Sequence, residues 1–152
     1  MLKMIVECGT KEDISSWMKL VSSVSWNFPG LETEEKLKEH EDTVLRFMSE
    51  QRALCVKMEN VVVGVLLFSI KHNMICCLAV APDLRRHGIA SALLSKAIEK
   101  LDRTRDITVS TFRENDPKGI APRRLYQSFG FVEGELIEEY GYPNQQFILS
   151  AK

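Results

Sequence analysis

The stretch LAVAPDLRRHGIASALL, residues 78–94, begins as an apolar run, breaks at Pro82, passes through Arg85, Arg86, His87 and Gly88, and resumes with apolar residues at helical spacing. The apolar start suits a buried strand that proline stops, and Ala90, Leu93, Leu94, Ala97, Ile98 and Leu101 share one face of a helix. The basic and glycine residues therefore sit where a strand turns into a helix. Backbone N–H groups at such a junction lack intrahelical partners and carry a partial positive charge, so a phosphate is their natural occupant.

Outward from this junction the elements alternate in type. Residues 2–7 alternate like a strand, and Thr10 with Asp13 forms a capping-box pattern ahead of a helix carrying Ile14, Trp17, Val21 and Val24, which NFPG (residues 27–30) ends. A second helix from Thr33 places Leu37, Val44, Phe47 and Met48 on one side. Residues 53–82 are rich in valine, isoleucine and leucine, with Glu59-Asn60 and His72-Asn73 as turns, and read as three consecutive antiparallel strands. After the helix of residues 91–101 come a strand in DITVSTF, a short helix in APRRLYQSFGF stopped by Gly130, and two strands around a turn at residues 142–144. The order β-α-α-β-β-β-α-β-α-β-β predicts an α/β domain of three layers around a mixed sheet.

Composition limits what such a domain does. The chain has 152 residues, 45% of them hydrophobic and 27% charged, which suits one globular domain spanning residues 1–152. A net charge of -1 gives no reason to expect nucleic acid as partner. Cys8, Cys55, Cys76 and Cys77 have no metal-site spacing and sit in apolar stretches, so they read as small core residues in a reducing cytoplasm, with no metal. The first residues lack the apolar segment of a signal peptide, and the most apolar stretch, residues 61–70, is too short to span a bilayer, so no membrane role is expected.

Two short motifs give the reading its chemistry. Arg85-x-x-Gly88-x-Ala90 matches the [QR]-x-x-G-x-[GA] signature of the GNAT superfamily of N-acetyltransferases, and Tyr126-x-x-x-Gly130-Phe131 resembles that family's second signature, one strand and one helix later. The resemblance covers nearly the whole chain and implies a three-layer α/β/α fold whose mixed, mostly antiparallel sheet is splayed between its two central strands. It also implies acetyl-coenzyme A as cosubstrate. Its pyrophosphate would lie on the backbone amides of Arg86, His87, Gly88, Ile89, Ala90 and Ser91, with Arg85 opening the turn and Gly88 admitting the close approach. Its pantetheine arm would extend the sheet beside Leu78, Ala79 and Val80, and the amide of Val80 would polarise the thioester carbonyl.

The implied chemistry is direct acetyl transfer to the primary amine of a small molecule or peptide. The nucleophile must lose a proton and the leaving thiolate must gain one, and the resemblance assigns the second task to Tyr126. No carboxylate stands within the two central strands. Asp106 lies at the start of one, and Glu114 and His72 just outside are the nearest candidates, so the base is unassigned. At the position of the family's usual coenzyme-contacting asparagine this chain has Gly119, with Asn115 as a substitute from a longer loop, while Lys118 and Arg123 either meet the nucleotide's phosphate or are solvated. LETEEKLKEHED carries six acidic residues and VEGELIEEY four, which reads either as two solvated faces or as the border of a cleft for a cationic amine, walled by Trp26, Tyr140 and Tyr142. A catalytically silent acyl-coenzyme A sensor would keep the same phosphate loop, and a homodimer is compatible with the resemblance.

Overall fold

The structure is a computed structural model that describes residues 4–25, 28 and 30–152. The expected strand residues before Met4, the expected helix end at Asn27 and Pro29, and the expected cleft wall at Trp26 lie outside the described residues. The elements are β1 (Val6–Cys8), α1 (Ile14–Ser23), α2 (Glu34–Ser49), β2 (Ala53–Met58), β3 (Val61–Ser69), β4 (Met74–Val80), α3 (Ile89–Lys100), β5 (Ile107–Phe112), α4 (Ile120–Ser128), β6 (Val132–Glu139) and β7 (Tyr142–Leu149). They follow the expected order and form a seven-stranded sheet, β1-β2-β3-β4-β5-β7-β6, antiparallel throughout except for the parallel pair β4–β5.

Each local choice has a cause. Thr33 caps α2, its hydroxyl oxygen accepting from the Lys36 amide at 3.1 Å, and Glu34 and Glu35 complement the helix dipole in the first turn. The β2–β3 hairpin turns on Glu59 and Asn60, both at left-handed φ of 51° and 66°, the conformation that a two-residue turn requires. The β6–β7 hairpin uses the same device at Tyr140 and Gly141, φ 52° and 76°, so the turn precedes the expected residues 142–144, which belong to β7. Pro143 is tolerated in that strand because its pair with Glu138 on β6, next to the Glu139–Tyr142 pair that closes the turn, is a non-hydrogen-bonded one, and on its other side β5 pairs with β7 only from Asn144 onward.

The sheet is covered on both faces. On one side Trp17, Leu20 and Val21 of α1 and Val44 and Met48 of α2 pack on Ala53, Cys55, Val65 and Leu67. On the other, Ile89, Leu93, Leu94 and Ala97 of α3 and Tyr126 of α4 pack on Leu54, Leu66, Phe68, Ile107 and Phe147. Strand β3, buried on both faces along nearly its whole length, is the continuous apolar run VVVGVLLFS for that reason. Burial of each large side chain contributes about 1.5–3 kcal/mol before chain entropy is set against it. Gly64 on β3 is what lets α3 approach: a Cβ there would overlap Cγ2 of Ile89 and come within 3.1 Å of Cδ1 of Leu93.

The two parallel strands are pinned at one end and part at the other. Asn73, 1% exposed and at φ 51°, donates from Nδ2 to the carbonyls of Asp102 (2.9 Å) and Asp106 (3.0 Å) and accepts from the Asp102 amide at 2.8 Å. Thr108 N–H then reaches the Asn73 carbonyl at 3.3 Å, and Met74–Thr108 is the single register pair between β4 and β5. Beyond it the β3 register skips Cys76, a bulge that turns β4 away from its neighbour. Asn73→Ala strands a buried amide and two carbonyls, and a loss of roughly 2–4 kcal/mol is expected in denaturant unfolding; a loss below about 0.5 kcal/mol contradicts the pinning role.

Candidate active site

The gap between β4 and β5 opens into a cavity of about 1020 Å³. Register decides which backbone groups face it. The Ala81 amide donates to the Val63 carbonyl at 2.9 Å, which makes Val63–Ala81 a hydrogen-bonded antiparallel pair. Bonded pairs alternate along such a ladder, so Ala79 opposite Val65 spends its amide and carbonyl on β3, whereas Leu78 and Val80 direct theirs into the gap. The expectation that all three residues offer main-chain groups is thus corrected for Ala79, whose place in the cavity wall is not a main-chain edge. On the facing strand the Thr108 N–H points toward β4, and by the same alternation so does the backbone of Ser110.

The junction after β4 is built as an anion cradle. Pro82 opens a single 3₁₀ turn closed by the Leu84 amide on the Ala81 carbonyl at 3.0 Å, and Arg85 leaves it extended. Arg86 and Gly88 are then both left-handed, φ 68° and 81°, and Gly88 is the N-cap of α3. The Ala92 amide reaches the Gly88 carbonyl at 3.0 Å as the helix's first bond, and no side chain caps this end. The amides of Ile89, Ala90 and Ser91 therefore have no partner among the described residues. Successive N–H groups in such a concave turn, backed by the helix dipole, suit a pyrophosphate. Arg85, Arg86, Gly88, Ile89, Ala90 and Ser91 all line the cavity, and His87 does not.

Tyr126 projects from α4 into the same cavity, 5% exposed, its ring 5.7 Å from that of Phe131 and 6.1 Å from that of Phe147. Its hydroxyl has no hydrogen-bond partner among the described residues. Burial, with the neighbouring Cys77 adding to it, holds its pKa well above the ordinary tyrosine value, so it remains a protonated donor at neutral pH. Burial likewise pushes the Cys77 thiol up to about 12. Cys76, expected in the core, is exposed at the β4 bulge, but its partly desolvated thiol, with Glu139 adding to the effect, is also raised, to about 11, so neither is a thiolate nucleophile near neutrality.

Other residues singled out from the sequence have different duties. Arg123 is 6% exposed and faces away from any nucleotide site: Nη1 donates to the Phe112 carbonyl (3.1 Å) and Gln145 Oε1 (2.8 Å), and Nη2 pairs with Glu133 at 3.0 Å. It ties α4 to β5 and the last hairpin. Gly119 is tightly packed, since a Cβ would lie 3.1 Å from both the Arg113 carbonyl oxygen and Cβ of Phe112. Asn115 is exposed and does not line the cavity, and the same holds for His72 and Glu114. Asp106 accepts from the Ala151 amide at 2.8 Å. Tyr142 donates to Asp116 at 2.7 Å and meets Phe112 edge-on at 5.5 Å, outside the cavity wall, whereas Tyr140 lines it.

Three cavity residues were not singled out as site residues from the sequence, although Glu139 and His40 lie within the two acidic runs. Cys76 is at the bulge, Glu139 ends β6, and His40 on α2 has its Nε2 buried without a partner, which holds the imidazole below its ordinary pKa and therefore neutral near pH 7. A histidine inside a charged helix run looks like any solvated residue until the fold turns it inward. No group of His, Cys, Asp and Glu among the described residues is arranged to hold a metal ion, and no helix among them is long and apolar enough to cross a membrane.

Relatives with this architecture are numerous. An acetyltransferase of the GNAT family from Bacillus cereus superposes with a TM-score of 0.75 at 21% identity, covering 99% of each chain. The PaiA N-acetyltransferase of Thermoplasma acidophilum, solved with coenzyme A, gives 0.71 at 14% identity over 98% of this chain and 99% of its own. YncA of Salmonella typhimurium, solved with acetyl-coenzyme A, gives 0.74 at 16% identity over 99% of this chain and 95% of its own. At these identities the likeness is one of fold. No curated protein sequence matches the chain. The sequence itself matches the family model described as "Acetyltransferase (GNAT) family" over residues 17–131, a span that holds the splayed strands, the uncapped start of α3 and Tyr126, and on that match the chain belongs to the acetyltransferase (GNAT) family.

Proposed function

We propose that the chain is an N-acetyltransferase, one domain over residues 1–152 acting in the cytoplasm, that moves an acetyl group from acetyl-coenzyme A directly to the primary amine of a small molecule or peptide. The observation that carries this reading is the meeting, in one cavity, of an uncapped helix start and a buried, protonated Tyr126. The relatives solved with coenzyme A and acetyl-coenzyme A are consistent with it.

The amides from Gly88 to Ser91, with Arg85 and Arg86 beside them, hold the pyrophosphate; His87 and Asn115, exposed and outside the cavity wall, are left to the adenosine end or to solvent. Leu78 and Val80 offer main-chain groups to the amide-bearing arm, and the Val80 N–H is the donor closest in role to an oxyanion hole. Tyr126 holds a proton for the departing sulfur. In the balanced reaction the amine nitrogen bonds to the acetyl carbon, the carbon–sulfur bond breaks, one amine proton ends on the thiol by way of Tyr126, and a second goes to solvent. The high pKa values of Cys76 and Cys77 support direct transfer over an acyl-cysteine intermediate.

The test is thiol release from acetyl-coenzyme A against a panel of primary amines, with the mass of the acceptor read before and after. An amine-dependent release that adds one acetyl group is expected. A protein that binds coenzyme A tightly and acetylates no amine is a sensor, and that result would overturn the enzymatic reading.

A further inference from the structure

The cavity is electrically divided. Arg85, Arg86, Lys118 and Arg124 line it along the β4–α3 junction and the start of α4, the side given above to the coenzyme. On the side of α1, α2 and the last hairpin it is lined by Val24, Phe28, Leu31, His40, Glu139 and Tyr140. These belong together: Phe28 and Leu31 pack on the same core cluster as Cys77, and Tyr140 lies on Gly30, where a Cβ would come within 3.0 Å of the ring. Glu139 is near enough to Cys76 to oppose ionisation of its thiol.

Most of the acidic runs that allowed a cleft for a cationic amine face elsewhere. Of the six acidic residues in LETEEKLKEHED and the four in VEGELIEEY, Glu139 alone lines this cavity among the described residues. Glu32 is paired with Lys36 at 3.4 Å and Glu133 with Arg123 at 3.0 Å, while Glu34, Glu35, Glu39, Glu135 and Glu138 are exposed. A single carboxylate among apolar and aromatic walls matches a ligand with one positive charge and an apolar remainder. A second ammonium would be buried with no counter-charge, and a substrate carboxylate would lie near Glu139 with no cation to meet it, since His40 is neutral near pH 7.

We infer that the acceptor is a monocationic primary amine carried on an apolar or aromatic body, with no carboxylate, and that Glu139 selects it by holding its ammonium. The inference rests on the acetyltransferase reading. It is tested with 2-phenylethylamine, phenylalanine, which adds a carboxylate to the same body, and spermidine, which adds further ammonium groups, by steady-state thiol release. The expected kcat/KM for 2-phenylethylamine exceeds both others by at least about 10-fold, and Glu139→Gln raises its KM about 10- to 100-fold with kcat and coenzyme A affinity unchanged, as for loss of a hydrogen bond to a charged group. Glu138→Gln, on the neighbouring exposed residue, leaves all three unchanged. Equal or better use of spermidine or phenylalanine, an unchanged KM in Glu139→Gln, or a fall in kcat alone would overturn this inference and leave the acetyltransferase reading standing. Release with no amine at all, despite tight coenzyme A binding, would overturn that reading and this inference with it.

Discussion

Tyr126→Phe slows acetyl transfer by about 10²-fold or more while leaving coenzyme A affinity nearly unchanged. The ring is the packing element, set between Phe131 and Phe147, and phenylalanine keeps it. The hydroxyl has no partner to lose among the described residues, so stability is expected to stay within about 1 kcal/mol. What disappears is a donor that burial keeps protonated. The raised pKa also fixes the sign of the pH effect: the neutral, donating form persists above the ordinary tyrosine value, so turnover shows no loss of this acid below about pH 10. Turnover and binding measured on one preparation separate the alternatives. An unchanged rate across pH would return Tyr126 to a packing role, and lost coenzyme A binding would make it a cofactor-holding residue instead of an acid.

The second large effect is expected at Gly88. A glutamate there must adopt φ 81° at a strain of roughly 1–2 kcal/mol, and its carboxylate would face the bound pyrophosphate at about 4 kcal/mol for unit charges about 4 Å apart near a protein surface. Together these predict a fall in coenzyme A affinity of more than about 10³-fold for Gly88→Glu, read by calorimetry. Gly88→Ala is the calibrating variant. Its Cβ would meet only Cε of Met4 at 4.0 Å, so backbone strain acts alone, and a loss of at most about 10-fold is expected, set by how far the free loop relieves that strain. Equal affinity in Gly88→Glu and the unaltered protein would remove this junction from the cofactor site.

Much of this was legible in the chain because the signals are local. The break at Pro82 and the return of helical spacing from Ala90 announce the β4–α3 junction, and the valine-rich run announces a strand buried on both faces. The β6–β7 turn was misplaced because Pro143 outweighs Tyr140-Gly141 as a sequence cue, although proline is harmless where β5 no longer pairs. The roles of Arg123 and Asn73 depend on distant partners, Gln145 and Glu133 for one and Asp102 and Asp106 for the other, which no short window of sequence contains. The acidic runs left two readings open for a related reason. Charge counted along the chain says nothing about which carboxylate the fold turns inward, and only Glu139 among them lines the cavity within the described residues.

A crystal structure of the protein soaked with acetyl-coenzyme A tests the central claim most directly. The account predicts the pyrophosphate on the amides of Gly88 through Ser91, the pantetheine arm along Leu78 and Val80 in the gap between β4 and β5, and the thioester sulfur within hydrogen-bond reach of the Tyr126 hydroxyl. A cofactor bound outside that gap, or one whose sulfur points away from Tyr126, would contradict it.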